Sequence, residues 1–243
     1  DKSLLQPFSD GHILGTDHLG RDVLSRVIFG ARTALFVSVG SVAIATIIGM
    51  SLGLLGAVVS ESSSRAARKL DALLLILLDG ILTFPTILLA MVVSTVLGPG
   101  RIPLILTLGI VFSPVIGRVV RSTGRSVIHQ PFYRDSWLLG TPPVARIVLH
   151  LVPNVFPQAI VQAASLAAVA IGVEAALSYL GLGTQPPEPS WGLMLKDARR
   201  YLTVAPNLSV VPGMAAALLA LGFQLVADQM AERIVDGTIG RRR

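Results

Sequence analysis

The chain has 243 residues, of which 52% are hydrophobic and only 14% charged, and its mean hydropathy is +0.71. A soluble domain carries about 25% charged residues, so a water-soluble enzyme and a disordered chain are both excluded. With a net charge of +6, no cysteine and few aromatics, the composition points to a membrane with anionic headgroups, not to nucleic acid, a disulfide scaffold or a thiolate metal site.

A polar segment, residues 1–32, comes first and has no signal-peptide pattern. It reads as an external N-terminal segment, with His12 and His18 in a solvated loop. About 20 apolar residues cross a bilayer core, and residues 33–59 carry no charge at all, which makes them the clearest span. Within it, Gly49-Met50-Ser51-Leu52-Gly53 matches the pattern of a nucleophile elbow. An elbow needs a strand-to-helix turn with histidine and acid partners, and this stretch has neither. Small residues that let helices approach closely explain it better.

Residues 70–97 form a second span, interrupted by Asp71, Asp79 and Pro85. Residues 102–120 form a third, holding Pro114 and Arg118, residues 155–182 a fourth, holding Glu174, and residues 206–227 a fifth, holding Pro212. Neighbouring helices can satisfy the backbone groups that such prolines free. Asp79 and Glu174 stand at membrane depth, where charge is costly. Two readings stay open for both: lining or gating a polar path, or a buried structural hydrogen bond. Asp71 and Arg118 are expected near the interface, snorkelling or meeting lipid headgroups.

Orientation follows from lysine and arginine in the loops. Residues 60–69, 118–154 and 228–243 hold twelve positive residues, against eight in 1–32, 98–101 and 183–205. The first side is expected to be cytoplasmic, with an inner loop over 121–154 and a basic tail over 232–243. The loop 183–205 is then external, as is the N-terminal segment. A further span upstream would bring both termini inside.

No nucleotide site is visible. A phosphate-cradling loop needs Gly-Lys before Ser or Thr, and none of Lys2, Lys69 and Lys196 follows a glycine. The four histidines form no H-E-x-x-H pair, so no metal and no catalytic residues are expected. The inner loop is the more informative feature. Phe132, Tyr133, Trp137, Leu138 and Leu139 are too apolar for a solvated linker, and Gly140-Thr141-Pro142-Pro143 breaks the stretch. Two short helices are expected, over 132–139 and 144–152, with a helix docking into a groove of a partner.

The same loop carries a resemblance. Gly140, then His150 and Pro153-Asn154, is similar to the EAA loop of bacterial ABC-importer permeases. Residues 14–26 (LGTDHLGRDVLSR), Asp79 with Phe84-Pro85, residues 97–100 (LGPG), Glu174-Ala175, residues 177–183 (LSYLGLG), residues 185–187 (QPP) and residues 189–192 (PSWG) complete it. Across residues 12–236 the chain resembles the second permease of dipeptide, oligopeptide and nickel importers. The resemblance implies an all-α type I importer transmembrane domain, usually with six spans: five here and a sixth expected upstream. It implies pairing with a second permease, docking on two cytoplasmic ATPase subunits or domains, and delivery of solute by an external binding protein. ATP and Mg would be bound by the partner subunits and no cofactor by this chain. The coupling loop would comprise Phe132, Tyr133, Arg134, Asp135, Ser136, Trp137, Leu138, Leu139, Gly140, Arg146, His150 and Pro153. External contacts would fall on Asp17, Arg21, Asp22 and Trp191, the last of which is also expected to anchor at the interface. One departure stands out. Glu-Ala-Ala of the family falls on Arg134-Asp135-Ser136, so either Asp135 replaces the lost acid one residue later or the dock is modified. A channel or secondary carrier is the competing class, but no internal duplication is visible.

Overall fold

The computed structural model describes residues 3–9, 11–62 and 64–240. Lys2 and Arg241 to Arg243, counted above with the charges of the two sides, lie outside the described residues, as does the end of the basic tail. The described residues form helices and turns without a named strand: α1 (Val23–Ser60), α2 (Arg65–Thr83), α3 (Thr86–Leu97), α4 (Arg101–Ile128), α5 (Pro131–Leu138), α6 (Pro143–Arg146), α7 (Val152–Tyr179), α8 (Trp191–Ala198) and α9 (Asn207–Gly240). Four helical stretches are long and apolar enough to cross a membrane, and the pair α2–α3 makes a fifth if counted as one broken span.

Helix boundaries depart from the sequence expectation in four places. First, α1 begins at Val23, inside the segment read as the external N-terminal one, before the span. Asp22 caps it, its Oδ2 accepting the Ser25 N–H at 2.7 Å. Hydropathy ended the span at Arg32, whereas a helix can continue beyond the apolar core. Second, the span over 70–97 is two helices bent by 98°. Pro85 disfavours the helical conformation at Phe84, which is extended (φ −83, ψ 139). Third, α4 runs to Ile128, so the inner loop is shorter than 121–154. Its expected second short helix does not stand alone either: α6 continues through a π-helical turn, Ile147–Leu151, into α7. Pro153 has no N–H to give the preceding turn, and the chain widens there, with the Val152 N–H reaching Ile147 O. Fourth, the outer loop over 183–205 contains α8 and a 3₁₀ turn, Arg199–Tyr201.

The chain divides into two compact units. One comprises residues up to 41, 90–108 and 167–223. Its core gathers Val23, Ala34, Ile171, Trp191, Met194, Ala198 and Leu208. The other comprises residues 42–89, 109–166 and 224–240 and is built on close packing of α1 against α4. A Cβ on Gly49 would lie 2.6 Å from Ser113 O, and one on Gly53 2.6 Å from Gly117 O. The glycines at these two positions therefore serve backbone approach, as the sequence suggested. Ser51 points away and returns its hydroxyl to Ile47 O at 2.8 Å, which is helix back-bonding and not a nucleophile's geometry.

Candidate functional site

In the second unit, α5 opens at Pro131, in the first helical turn where a missing N–H is harmless. It closes on Gly140, whose φ is +76. The Thr141 N–H reaches Ser136 O and the Gly140 N–H reaches Trp137 O, both at 3.0 Å. This is a Schellman ending, which requires a left-handed residue. Nothing lies within 4 Å of a Cβ placed on Gly140, so the requirement is conformational and not spatial. Tyr133 and Ser136 form the buried side of α5, with the Arg146 guanidinium 5.8 Å from the Tyr133 ring. Ser136 Oγ donates to Tyr133 O at 2.7 Å. Phe132, Trp137, Leu138 and Leu139 are exposed, and so are Val144, Val148 and Leu149 beyond the turn. His150 and Phe132 pack ring to ring at 6.3 Å, and Asn154 Nδ2 donates to His150 O at 2.6 Å. Arg134, Asp135 and Pro153 face outward. A groove of about 520 Å³ runs beside α5, lined by Glu61, His129, Tyr133, Arg134, Trp137 and Arg146 among others.

Also in this unit, α4 carries Arg118, Arg121, Arg125 and His129 at spacings that place them on one helical face. Acids from three earlier positions meet them in order. Asp71 takes Arg121 with both oxygens, at 2.8 and 3.0 Å from Nη2. Asp79 Oδ1 accepts from Arg118 Nη2 at 2.5 Å. Glu61 lies 3.6 Å from Arg125 and 3.4 Å from His129. Asp71 and Arg118 each have a protein partner supplied by a helix remote in sequence. The two pairs differ. Asp71–Arg121 is largely buried, with 18% and 13% of the side chains exposed, whereas Asp79–Arg118 is more than half exposed, at 54% and 59%.

In the first unit, Glu174 is fully buried. Its Oε1 accepts from Ser178 Oγ at 2.8 Å, Ser190 Oγ at 2.9 Å and Thr184 Oγ1 at 3.4 Å. Those hydroxyls accept in turn, Ser178 Oγ from the Thr184 N–H at 3.0 Å and Ser190 Oγ from the Gly192 N–H at 3.1 Å. The carboxyl therefore clasps the end of α7, the following loop and the start of α8. Gly181, at φ +85, turns the chain after α7, and Gly183 lies so close to Ser178 that a Cβ would meet its Oγ at 2.4 Å. Of the two readings of Glu174, its full burial and three hydroxyl partners fit the structural hydrogen bond, a clasp within this unit.

Of the residues expected to make external contacts, Trp191 and Asp17 are buried, while Arg21 and Asp22 stay partly exposed. Trp191 is 2% exposed, lies against Gly30 and donates Nε1–H to Val27 O at 3.0 Å, so it belongs to the core and is neither a contact nor an interface anchor. Asp17 is buried. It accepts from Leu19 N, Arg21 N and Arg21 Nε at 2.9, 2.9 and 2.7 Å, and also from Arg26 Nη1. Burial works against its charge, but the donors from Arg21, Leu19 and Arg26 outweigh it and hold the carboxyl below the ordinary aspartate value. Asp22 is lowered too, first by the Ser25 N–H and then by His12, whose Nδ1 stands 2.8 Å from Oδ1. Asp197 extends the cluster, 3.7 Å from Arg21 and 3.8 Å from Arg26.

The sequence reading missed the ladder of pairs on α4 and the hydroxyl partners of Glu174. The ladder had a signal, since basic residues at 118, 121, 125 and 129 repeat with the helix. Thr184 and Ser190 had none, because they join Glu174 only through the loop.

Apolar helices, a broken span and a short exposed helix between spans are the features of an integral membrane protein. The chain matches, over residues 45–238, the family described as binding-protein-dependent transport system inner membrane component, and it belongs to that family. It is 36% identical to the dipeptide transport system permease protein DppC of Alkalihalophilus pseudofirmus, over 95% of this chain and 73% of that one. It is 37% identical to the di/tripeptide transport system permease protein DppC of Pseudomonas aeruginosa, over 91% and 71%. Identity to the glutathione transport system permease protein GsiD of Pectobacterium atrosepticum is 30%, over 93% and 73%. Among solved structures, the inward-facing MetNI methionine ABC transporter matches with a TM-score of 0.70 at 17% identity, over 87% of this chain and 97% of that one. An amino acid ABC transporter with histidines matches with a TM-score of 0.66 at 13% identity, over 86% and 94%. The fold is that of a type I ABC-importer permease, and the protein is a bacterial inner-membrane component.

Proposed function

We propose that the chain is one of two permease subunits of an ATP-driven importer, forming half of the translocation path for peptides or a related small solute. Its relatives are named for dipeptides, tripeptides and glutathione, which supports peptide as cargo. An external binding protein delivers the solute. ATP and Mg bind two cytoplasmic ATPase subunits or domains and not this chain. The chain passes their motion on through α5 and the turn that follows it.

The observation that carries this reading is the exposed apolar row of Phe132, Trp137, Leu138 and Leu139 on a short helix ended by a left-handed glycine. Exposed aromatic and aliphatic side chains next to a groove fit a helix-in-groove dock on a soluble partner. At the Arg134-Asp135-Ser136 departure, Arg134 and Asp135 lie on the outward face, so charge at this dock differs from the family pattern.

The test is reconstitution. The chain should co-purify with an ATPase and a second permease, and uptake should need ATP. Gly140→Val should leave ATP hydrolysis running while uptake falls, because the turn that aims α5 is lost. Uptake by the valine variant at the wild-type rate would sink the coupling role. ATP-independent uptake by the purified chain alone would favour the channel or carrier class instead.

A further inference from the structure

We propose that Asp79 and Arg118 form a subsite that binds solutes carrying both a free ammonium and a free carboxylate, by exchanging their own ion pair for two pairs with the solute. The proposal rests on the reading that this chain lines a solute path.

Each residue borders an apolar stretch of its helix. Residues 72–78 of α2 carry no charge, and neither do residues 102–117 of α4. A charged pair more than half exposed at such a place is unfavourable against lipid, so that face meets water or a polar solute. The pair also opens onto a cavity of about 520 Å³, lined by Leu75, Leu78, Arg121, Ser122, Arg125, Ser126 and His129 besides the pair itself, with Arg121 held by Asp71 and Arg125 near Glu61. That volume lies within the range of small-molecule sites, and the lining sets two leucines against a polar, largely basic wall.

Comparison with Asp71–Arg121 shows what is unusual. There the carboxylate takes the guanidinium with both oxygens, and the pair is largely buried, which suits a fixed fastening. Arg118 reaches only one oxygen of Asp79. A half-exposed single contact contributes little, so it opens readily. A solute with one charge would leave either Asp79 or Arg118 without a partner. A solute with both charges satisfies both, the guanidinium taking a carboxylate and Asp79 taking an ammonium. Beside Asp79, the space around Gly80 is open, with nothing within 4 Å of an added Cβ. The same chemistry occurs in the headgroup of phosphatidylethanolamine, which has an ammonium and a phosphate, so the test separates the two sources.

The test uses the complete transporter, with its second permease, ATPases and binding protein, in vesicles free of phosphatidylethanolamine. Uptake of one dipeptide is compared with its N-acetyl and C-amide forms in wild type, Asp79→Asn and Arg118→Gln. All carriers receive solute from the same binding protein, so a changed ratio between peptides reports the permease. Asp79→Asn should weaken the preference for a free amine roughly threefold and leave the preference for a free carboxylate, and Arg118→Gln should do the reverse. Unchanged ratios in both variants overturn the subsite, and so does equal loss of all three peptides in variants that assemble normally. A second measurement needs no variant: excess dipeptide should slow phenylglyoxal modification of Arg118 in wild type, read by mass spectrometry, and the doubly capped form should not. Equal modification with and without dipeptide overturns the proposal. Protection by added phosphatidylethanolamine alone overturns it in favour of lipid. Failure of wild type to take up any solute with ATP would instead count against the importer reading.

Discussion

Glu174→Ala removes the acceptor from a cluster in which every partner is buried. Two hydroxyls, Ser178 and Ser190, lose good bonds of 2.8 and 2.9 Å, and Thr184 loses a longer one. A buried donor left unsatisfied costs about 1–3 kcal/mol. Two such losses, with the third counted as minor, come to roughly 2–6 kcal/mol, which lowers the unfolding temperature on the order of 10 °C. Glu174→Gln keeps an acceptor at Oε1 but sets an amide NH₂ where Oε2 lies buried with no partner among the described residues. It should fall in between, at about 1–3 kcal/mol. The assay is thermal unfolding of the detergent-solubilised complex, run beside vesicle uptake. The double change Glu174→Ala with Ser178→Ala should be less than additive, since both act on one network. Unfolding temperatures within about 1 °C of wild type, with uptake abolished, would refute the clasp and restore Glu174 to the path.

Further outcomes concern the other sites. At Gly140, asparagine tolerates the left-handed conformation and valine does not. Gly140→Asn should therefore couple transport nearly as well as wild type and Gly140→Val poorly, measured as solute moved per ATP hydrolysed. Gly53→Leu should strongly destabilise the protein, because even a Cβ would lie 2.6 Å from Gly117 O and 2.7 Å from Val120 Cβ. Thermal unfolding reads the loss, and wild-type stability in this variant would contradict the close approach. Asp17 carries a lowered pKa, so its contribution to stability is complete above the ordinary aspartate range and is lost as pH falls through the lower folded value. Unfolding temperature should drop as pH falls below about 4, and less steeply in Asp17→Asn. An identical acid profile in both proteins would show that Asp17 does not contribute.

Hydropathy made the spans legible because lipid requires long apolar helices, whatever else the chain does. It could not place the start of α1, since Arg26 pairs with Asp17 while the helix continues past it. The bend at Phe84-Pro85 was signalled by the proline, but an apolar run that continues across the break hides its 98° angle. Gly140 was legible as a turn because glycine so often marks one. Trp191 was misplaced because a tryptophan in an outer loop suits an interface as well as a core, and only the glycine at position 30 makes room for it. Of the partners of Glu174, Ser178 lies four residues on and shares its helix face, whereas Thr184 and Ser190 are 10 and 16 residues away and arrive only when the loop folds back.

The ladder on α4 sets an order of events during synthesis. The acids of α2 leave the ribosome first, and Arg118 follows Asp79 by 39 residues while Arg121 follows Asp71 by 50. At about 5–20 residues per second, the acids wait roughly 2–10 s for their bases. Unpaired carboxylates are costly in a bilayer, so Asp71 and Asp79 gain their partners only once α4 has followed α2.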